Sequence, residues 1–155
     1  EPLIHGGKST TVYRSGTPAL GLIVSTAKAL RLAYLDFDKK YDYVCFLNKY
    51  LKEELSKINK VHINSNSYCV PHIVNISIEN IKPETMQHAL EQEEIYVSTQ
   101  TACSSNNPVS KAVLAVTKNK NYASSSIRIS LSYLTTKEEI DIFVKVLNNK
   151  IKELS

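Results

Sequence analysis

An α+β domain, a small and mostly antiparallel sheet with helices packed on one face, is the fold that this chain of 155 residues predicts. Residues 72–78 and 124–131 alternate apolar with polar side chains, the period of a half-buried strand. Residues 38–58 and 135–154 instead repeat apolar side chains every three or four positions, the period of a helix with one buried face. Strands and helices do not take turns as a parallel sheet requires, so their order points to an antiparallel sheet under helices. With 43% hydrophobic residues the chain is rich enough in apolar surface for one real core.

Each element has its own local reason. Pro18 can open a helix at its first turn, and Leu22, Ile23, Thr26, Ala29, Leu30 and Ala33 follow at helical spacing, which predicts a helix over 18–34. Asp36 or Asp38 can cap the next one, where Val44, Leu47, Leu51, Leu55 and Ile58 make a single apolar stripe. Strands are expected at 60–63 and 72–78, joined by the turn residues Asn64, Ser65, Asn66 and Ser67. In the second strand Val74, Ile76 and Ile78 face one way, and Ile73, Asn75 and Ser77 the other.

Pro83 then starts a short helix through Met86, Ala89 and Leu90, and residues 95–97 read as a strand leading into a polar loop around Cys103. A helix is expected over 109–116, after Pro108. In the strand that follows, Ile127, Ile129 and Leu131 oppose Ser126, Arg128 and Ser130. Thr135 and Glu138 have capping-box spacing at the start of the last helix, whose apolar face is Ile140, Phe143, Val144, Leu147, Ile151 and Leu154.

Composition narrows the function classes. The net charge of +4 is carried by dispersed lysines, with Arg14, Arg31 and Arg128 the only arginines, so a clustered basic face for direct nucleic-acid binding is not indicated. No apolar run approaches the roughly 20 residues of a membrane span and no signal-peptide pattern opens the sequence, which reads as cytoplasmic. Three cysteines without a C-x-x-C pair or a histidine at ligand spacing predict neither a disulfide framework nor a metal site. Cys45, on a helical stripe, and Cys69, before a strand, are expected to be small core residues.

Cys103 differs from both. It lies in Thr99-Gln100-Thr101-Ala102-Cys103-Ser104-Ser105-Asn106-Asn107, a polar run without hydrophobic period, where a thiol is expected on an exposed loop and open to chemistry. Arg128 sits on the polar side of a strand, flanked by small hydroxyl residues, as a fixed cation able to grip a carboxylate. The alternatives are an inert surface cysteine and an arginine paired with a structural acid.

Larger patterns join these residues. Leu3-Ile4-His5-Gly6-Gly7, Arg14-Ser15-Gly16-Thr17-Pro18, Ala102-Cys103-Ser104-Ser105, and Ser125-Ser126-Ile127-Arg128-Ile129-Ser130-Leu131 followed by Thr135 to Asp141 occur in this order along the whole chain. Together they resemble the C-terminal part of the cysteine desulfurases, which are pyridoxal-phosphate enzymes of the class V aminotransferase type. The resemblance implies the small C-terminal domain of a fold-type I pyridoxal-phosphate transferase, with 1–17 as an interdomain segment, 18–155 as the α+β domain and the large domain absent. The chain also opens at Glu1 within patterned sequence, as an excised piece would.

The resemblance further implies the roles of the residues. Cys103 matches the thiol that takes sulfur from L-cysteine as a persulfide, leaving L-alanine, and Arg128 matches the arginine that binds the substrate carboxylate. Thr17 matches the residue that reaches the cofactor phosphate of the other subunit in a homodimer, although a plain loop-to-helix cap reads equally well from the residues. A sulfur-acceptor protein, either an iron–sulfur scaffold or a tRNA-thiolation enzyme, is implied as a partner. The alternatives are another class V enzyme, such as a transaminase or selenocysteine lyase, and a cofactor-free persulfide carrier. Two departures stand out: Lys8 to Tyr13 replaces a glycine-, glutamate- and arginine-bearing stretch of the family, and no lysine lies in the family's Ser/His-rich cofactor motif. The chain alone is therefore expected not to desulfurate cysteine.

Overall fold

The computed structural model describes residues 1–7, 13–99 and 109–154, which form two compact units, Glu1–Lys39 and Lys40–Ser155. In the first unit, Ile4 and Arg14 make a parallel bridge, tightened by the Ser15 amide donating to the Ile4 carbonyl at 3.2 Å. Gly6 lies in this crossing, where an added Cβ would stand 2.9 Å from Ser15 Cβ, so only glycine fits without a shift. Helix α1 (Leu20–Tyr34) follows, and the Ser25 and Thr26 hydroxyls donate back to the Gly21 and Leu22 carbonyls. Every residue of α1 is exposed, although Leu20, Leu22, Ile23, Val24, Leu30, Leu32 and Tyr34 are large and apolar. Asp36, with φ of 57°, ends the run before α2 (Phe37–Leu55) begins.

The second unit is built on an antiparallel sheet of three strands in the order β1 (Val61–Ile63), β2 (Ile73–Ile78), β3 (Ser126–Ser130). Register pairs Ile63 with Ile76, Ile76 with Ile127 and Val74 with Ile129, so all the alternating apolar residues share one face. That face is covered by α2, α3 (Pro83–Glu91) and α6 (Lys137–Leu154). Leu47, Leu51 and Leu55 of α2, Met86 and Leu90 of α3, and Leu147 of α6 are fully buried against Val74, Ile76 and Ile127. Each such side chain contributes about 1.5–3 kcal/mol from burial.

Two short helices complete the unit. Helix α4 (Lys111–Thr117) is capped by Ser110, whose hydroxyl accepts from the Val113 amide, and ends at Lys118 in the left-handed region. Helix α5 (Lys120–Ser124) is capped by Asn119 and was not foreseen, because five residues carry no period. It lies against the polar face of the sheet, where Tyr122 stacks on His62 with ring centroids 4.0 Å apart.

Three expectations are corrected. Residues 95–97 do not form a strand: the segment touches β3 through a single pair, Ser98 with Arg128. The capping box of α6 is one residue further on, with the Glu139 amide donating to Thr136 Oγ1 at 3.2 Å and the Thr136 amide to Glu139 Oε2 at 2.8 Å. Thr135 instead accepts from the Ser132 amide. Cys69 is exposed rather than core, because the side chain of Asn66 holds residues 66–69 in a turn, and Cys45 is half-buried at the margin of its stripe.

Candidate functional site

The polar face of the sheet carries one of the expected site residues, Arg128. The alternation that buries Ile127 and Ile129 sends Arg128 to the other side, opposite Asn75 on β2. On its other flank Arg128 forms a mutual backbone pair with Ser98: the Arg128 amide donates to the Ser98 carbonyl at 2.7 Å, and the Ser98 amide to the Arg128 carbonyl at 3.0 Å. Such a pair places both side chains on one face. Arg128 thus stands between Asn75 and Ser98 on a strand backed by the main core.

Exposure runs in a gradient along this face. Ser77 and Ser126 are paired and buried beneath α5, Asn75 and Arg128 are half-buried, and Ile73 and Ser130 are exposed. Arg128 therefore occupies the lip between a closed end and an open one. Among the described residues its guanidinium has neither an acidic partner nor a hydrogen-bond acceptor. The alternative of an arginine fixed by a structural acid has no support there.

The closed end is held by a polar network. Asn64 Nδ2 donates to Ser77 Oγ and to Asn75 Oδ1, both at 2.7 Å, and the Ser77 hydroxyl donates to the Tyr122 carbonyl at 2.7 Å. Asn64 Oδ1 is buried without a partner. Turning the amide over would leave its nitrogen, a buried donor, in that position and set its oxygen against Ser77 Oγ, whose own hydrogen bond goes to the Tyr122 carbonyl, so the orientation stands.

In the first unit, Gly16 has φ of +118°, and Arg14 folds over it, donating to the Gly16 carbonyl at 3.2 Å and to the Thr17 carbonyl at 3.4 Å. Thr17 is exposed, its hydroxyl has no partner among the described residues, and it lies just before α1, whose cap residue Ala19 offers no side-chain acceptor. His5 is exposed in the same unit. Cys103 lies outside the described residues.

This geometry can be set beside known proteins. Residues 5–143 match the sequence profile of the class-V aminotransferases. The chain belongs to that family.

Class-V aminotransferases work with pyridoxal phosphate, and several proteins similar to this chain are cysteine desulfurases. The cysteine desulfurase IscS of Buchnera aphidicola is 35% identical over 97% of this chain and 37% of that protein. Its counterpart from Pseudoalteromonas translucida is 36% identical over 99% of the chain and 38% of that protein. A solved NifS-like protein superposes with a TM-score of 0.80 at 30% identity, over 99% of this chain and 39% of its own. Another, from Rickettsia africae, gives 0.76 at 27% identity, over 99% and 40%. The chain thus spans about two-fifths of the relatives it matches, and its sequence fits a fragment of a cysteine desulfurase.

Among the described residues no helix is long and apolar enough to cross a membrane, and no three His, Cys, Asp or Glu side chains gather as a metal site. Asn75 and Ser98 are the site neighbours that sequence reasoning missed. The alternation gave the face of Asn75, but not the register that sets it beside Arg128.

Proposed function

We propose that this chain is the substrate-gripping and sulfur-accepting C-terminal part of a cysteine desulfurase, converting L-cysteine to L-alanine and an enzyme-bound persulfide. One observation carries the reading: Arg128 presents an uncommitted guanidinium on the polar face and is tied through its backbone to Ser98. Cys103 follows Ser98 by five residues, a contour of at most about 18 Å. A carboxylate held by two parallel N–H···O bonds from Arg128 has a fixed orientation, which sets the thiol-bearing end of the substrate in one direction.

Pyridoxal phosphate, when bound, supplies the electron sink that makes the substrate's carbon–sulfur bond breakable. The part of this chain is narrower. Arg128 orients the carboxylate, and the Cys103 thiolate attacks the substrate sulfur; a sulfur–sulfur bond forms as the carbon–sulfur bond breaks. The bonding pair stays with the substrate carbon, which is protonated to give alanine, while Cys103 keeps the sulfur as a persulfide. The Thr17 hydroxyl, uncommitted before a helix with no side-chain cap, suits one contact to the cofactor phosphate of the other subunit of a homodimer. No lysine of this chain lies in the family's cofactor motif, so the chain by itself does not turn over cysteine.

The persulfide would pass to an acceptor protein in the cytoplasm, either an iron–sulfur scaffold or a tRNA-thiolation enzyme. The test uses the full-length protein loaded with cofactor. Cys103→Ser is expected to keep the cofactor absorbance and lose alanine formation from cysteine; normal turnover by that variant refutes the nucleophile assignment. Amino transfer without alanine formation from cysteine would instead make the chain part of a transaminase.

A further inference from the structure

The polar face carries a second hydrogen-bond donor beside Arg128. Asn75 is the cross-strand partner of Arg128, and side chains so paired lie about 4.5–5.5 Å apart at their Cβ atoms. Its Oδ1 is occupied by Asn64 Nδ2 from the β1 side at 2.7 Å. The orientation of Asn64 is fixed in turn by the chain of hydrogen bonds from Asn64 Nδ2 through the Ser77 hydroxyl to the Tyr122 carbonyl. The Asn75 amide therefore keeps its NH2 on the branch away from β1, the side on which β3 carries Arg128. Like the guanidinium, this NH2 has no acceptor among the described residues, and it is not among the buried unpartnered atoms, so it is open to a ligand.

We propose that Asn75 is a second donor to the substrate carboxylate, acting beside Arg128 as a specificity-determining residue. A carboxylate offers about four lone-pair sites, enough for a bidentate guanidinium and one further N–H. A planar fork fixes the plane of the carboxylate, and a donor from the neighbouring strand fixes its position across the sheet face. The buried network under α5 then acquires a purpose, since it holds the amide with its NH2 outward.

The proposal rests on the assignment of Arg128 as carboxylate clamp, and the experiment separates the two. Asn75→Asp, made in the cofactor-loaded full-length protein, keeps the Oδ1 that Asn64 needs, replaces the NH2 by a second oxygen and adds a negative charge across from Arg128. The Michaelis constant for L-cysteine is expected to rise about tenfold or more, with kcat within about twofold and the urea-unfolding midpoint unchanged. The inhibition constant of L-alanine should rise in step, while that of cysteamine, which lacks the carboxylate, should not move. Asn75→Ala is the second variant and removes the donor without adding a charge; the same rise in the Michaelis constant is expected, here with a lowered unfolding midpoint because Asn64 loses an acceptor. If Arg128→Ala raises the Michaelis constant and Asn75→Ala does not, the second donor is refuted and the clamp survives, whatever Asn75→Asp does through its charge. If none of the three raises it, the clamp falls and the proposal with it. Equal losses toward alanine and cysteamine, together with a lowered midpoint, would make Asn75 a structural residue and overturn the proposal.

Discussion

The two faces of the sheet are made by the same strands and are governed by different physics. On one, Val74, Ile76, Ile127 and Ile129 are sealed under α2, α3 and α6. On the other, His62, Asn75, Ser77, Arg128 and Ser130 run from a covered end beneath α5 to an open one. The first face supplies stability through area removed from water, and the second supplies directed polar groups whose value depends on what binds them. A strand with a period of two can thus hold a guanidinium rigidly without burying it.

This contrast can be broken first on the apolar side. Ile76→Ala, at a fully buried position, is expected to lower unfolding free energy by about 2–5 kcal/mol in urea titration, with any loss of activity following the loss of folded protein. On the polar side the effect should be of comparable size but of another kind. Arg128→Ala is expected to raise the Michaelis constant for cysteine about 100-fold, roughly 3 kcal/mol, while its unfolding midpoint stays close to the parent. Arg128→Lys should fall between them, since an ammonium lacks the two-pronged fit. A large fall in stability from Arg128→Ala would mean that the polar face is also structural.

Smaller effects test the helices that seal the apolar face. Thr136→Ala removes the acceptor for the Glu139 amide at the start of α6 and should cost about 1 kcal/mol, whereas Thr135→Ala leaves that box intact and should cost less. Tyr50 of α2 donates to Asp141 Oδ1 at 2.5 Å, and this bond to a carboxylate is the main cause that pushes its pKa up to about 12. A pKa raised on folding above the ordinary tyrosine value of 10.0 gives stability that is fully present below pH 10 and fades as pH rises through about 12. Asp141→Asn should weaken that dependence, read as a smaller difference between unfolding midpoints at pH 9 and pH 11.5. It should leave cysteine binding untouched.

Periodicity carried much of this architecture. The stripe Val44, Leu47, Leu51 and Leu55 is the buried side of α2, and the alternation in β2 and β3 gave both faces correctly. What it could not carry was pairing. Residues 95–97 have strand-like composition, yet only the neighbouring Ser98 finds a partner, because edge pairing depends on a neighbour remote in sequence. Helix α5 rests on the Asn119 cap and on Tyr122 stacking over His62, neither of which leaves a periodic trace. Helix α1 shows the converse: its spacing was legible and the element formed, but helical spacing alone did not reveal that all its apolar residues would be exposed. For the site, the side on which Arg128 stands was legible and its companions Asn75 and Ser98 were not. Cys103 lies outside the described residues, so its placement adds nothing to that comparison.

The pairing of Asn75 with Arg128 bears on how such a gene can change over time. Point substitutions in β3 alter one position each, but loss of a single codon between Ser126 and Arg128 would turn every later side chain of the strand over. The guanidinium would enter the hydrocarbon layer and an isoleucine would take its place on the polar face. Insertions and deletions should therefore be absent from this stretch among working descendants, even where its letters drift freely.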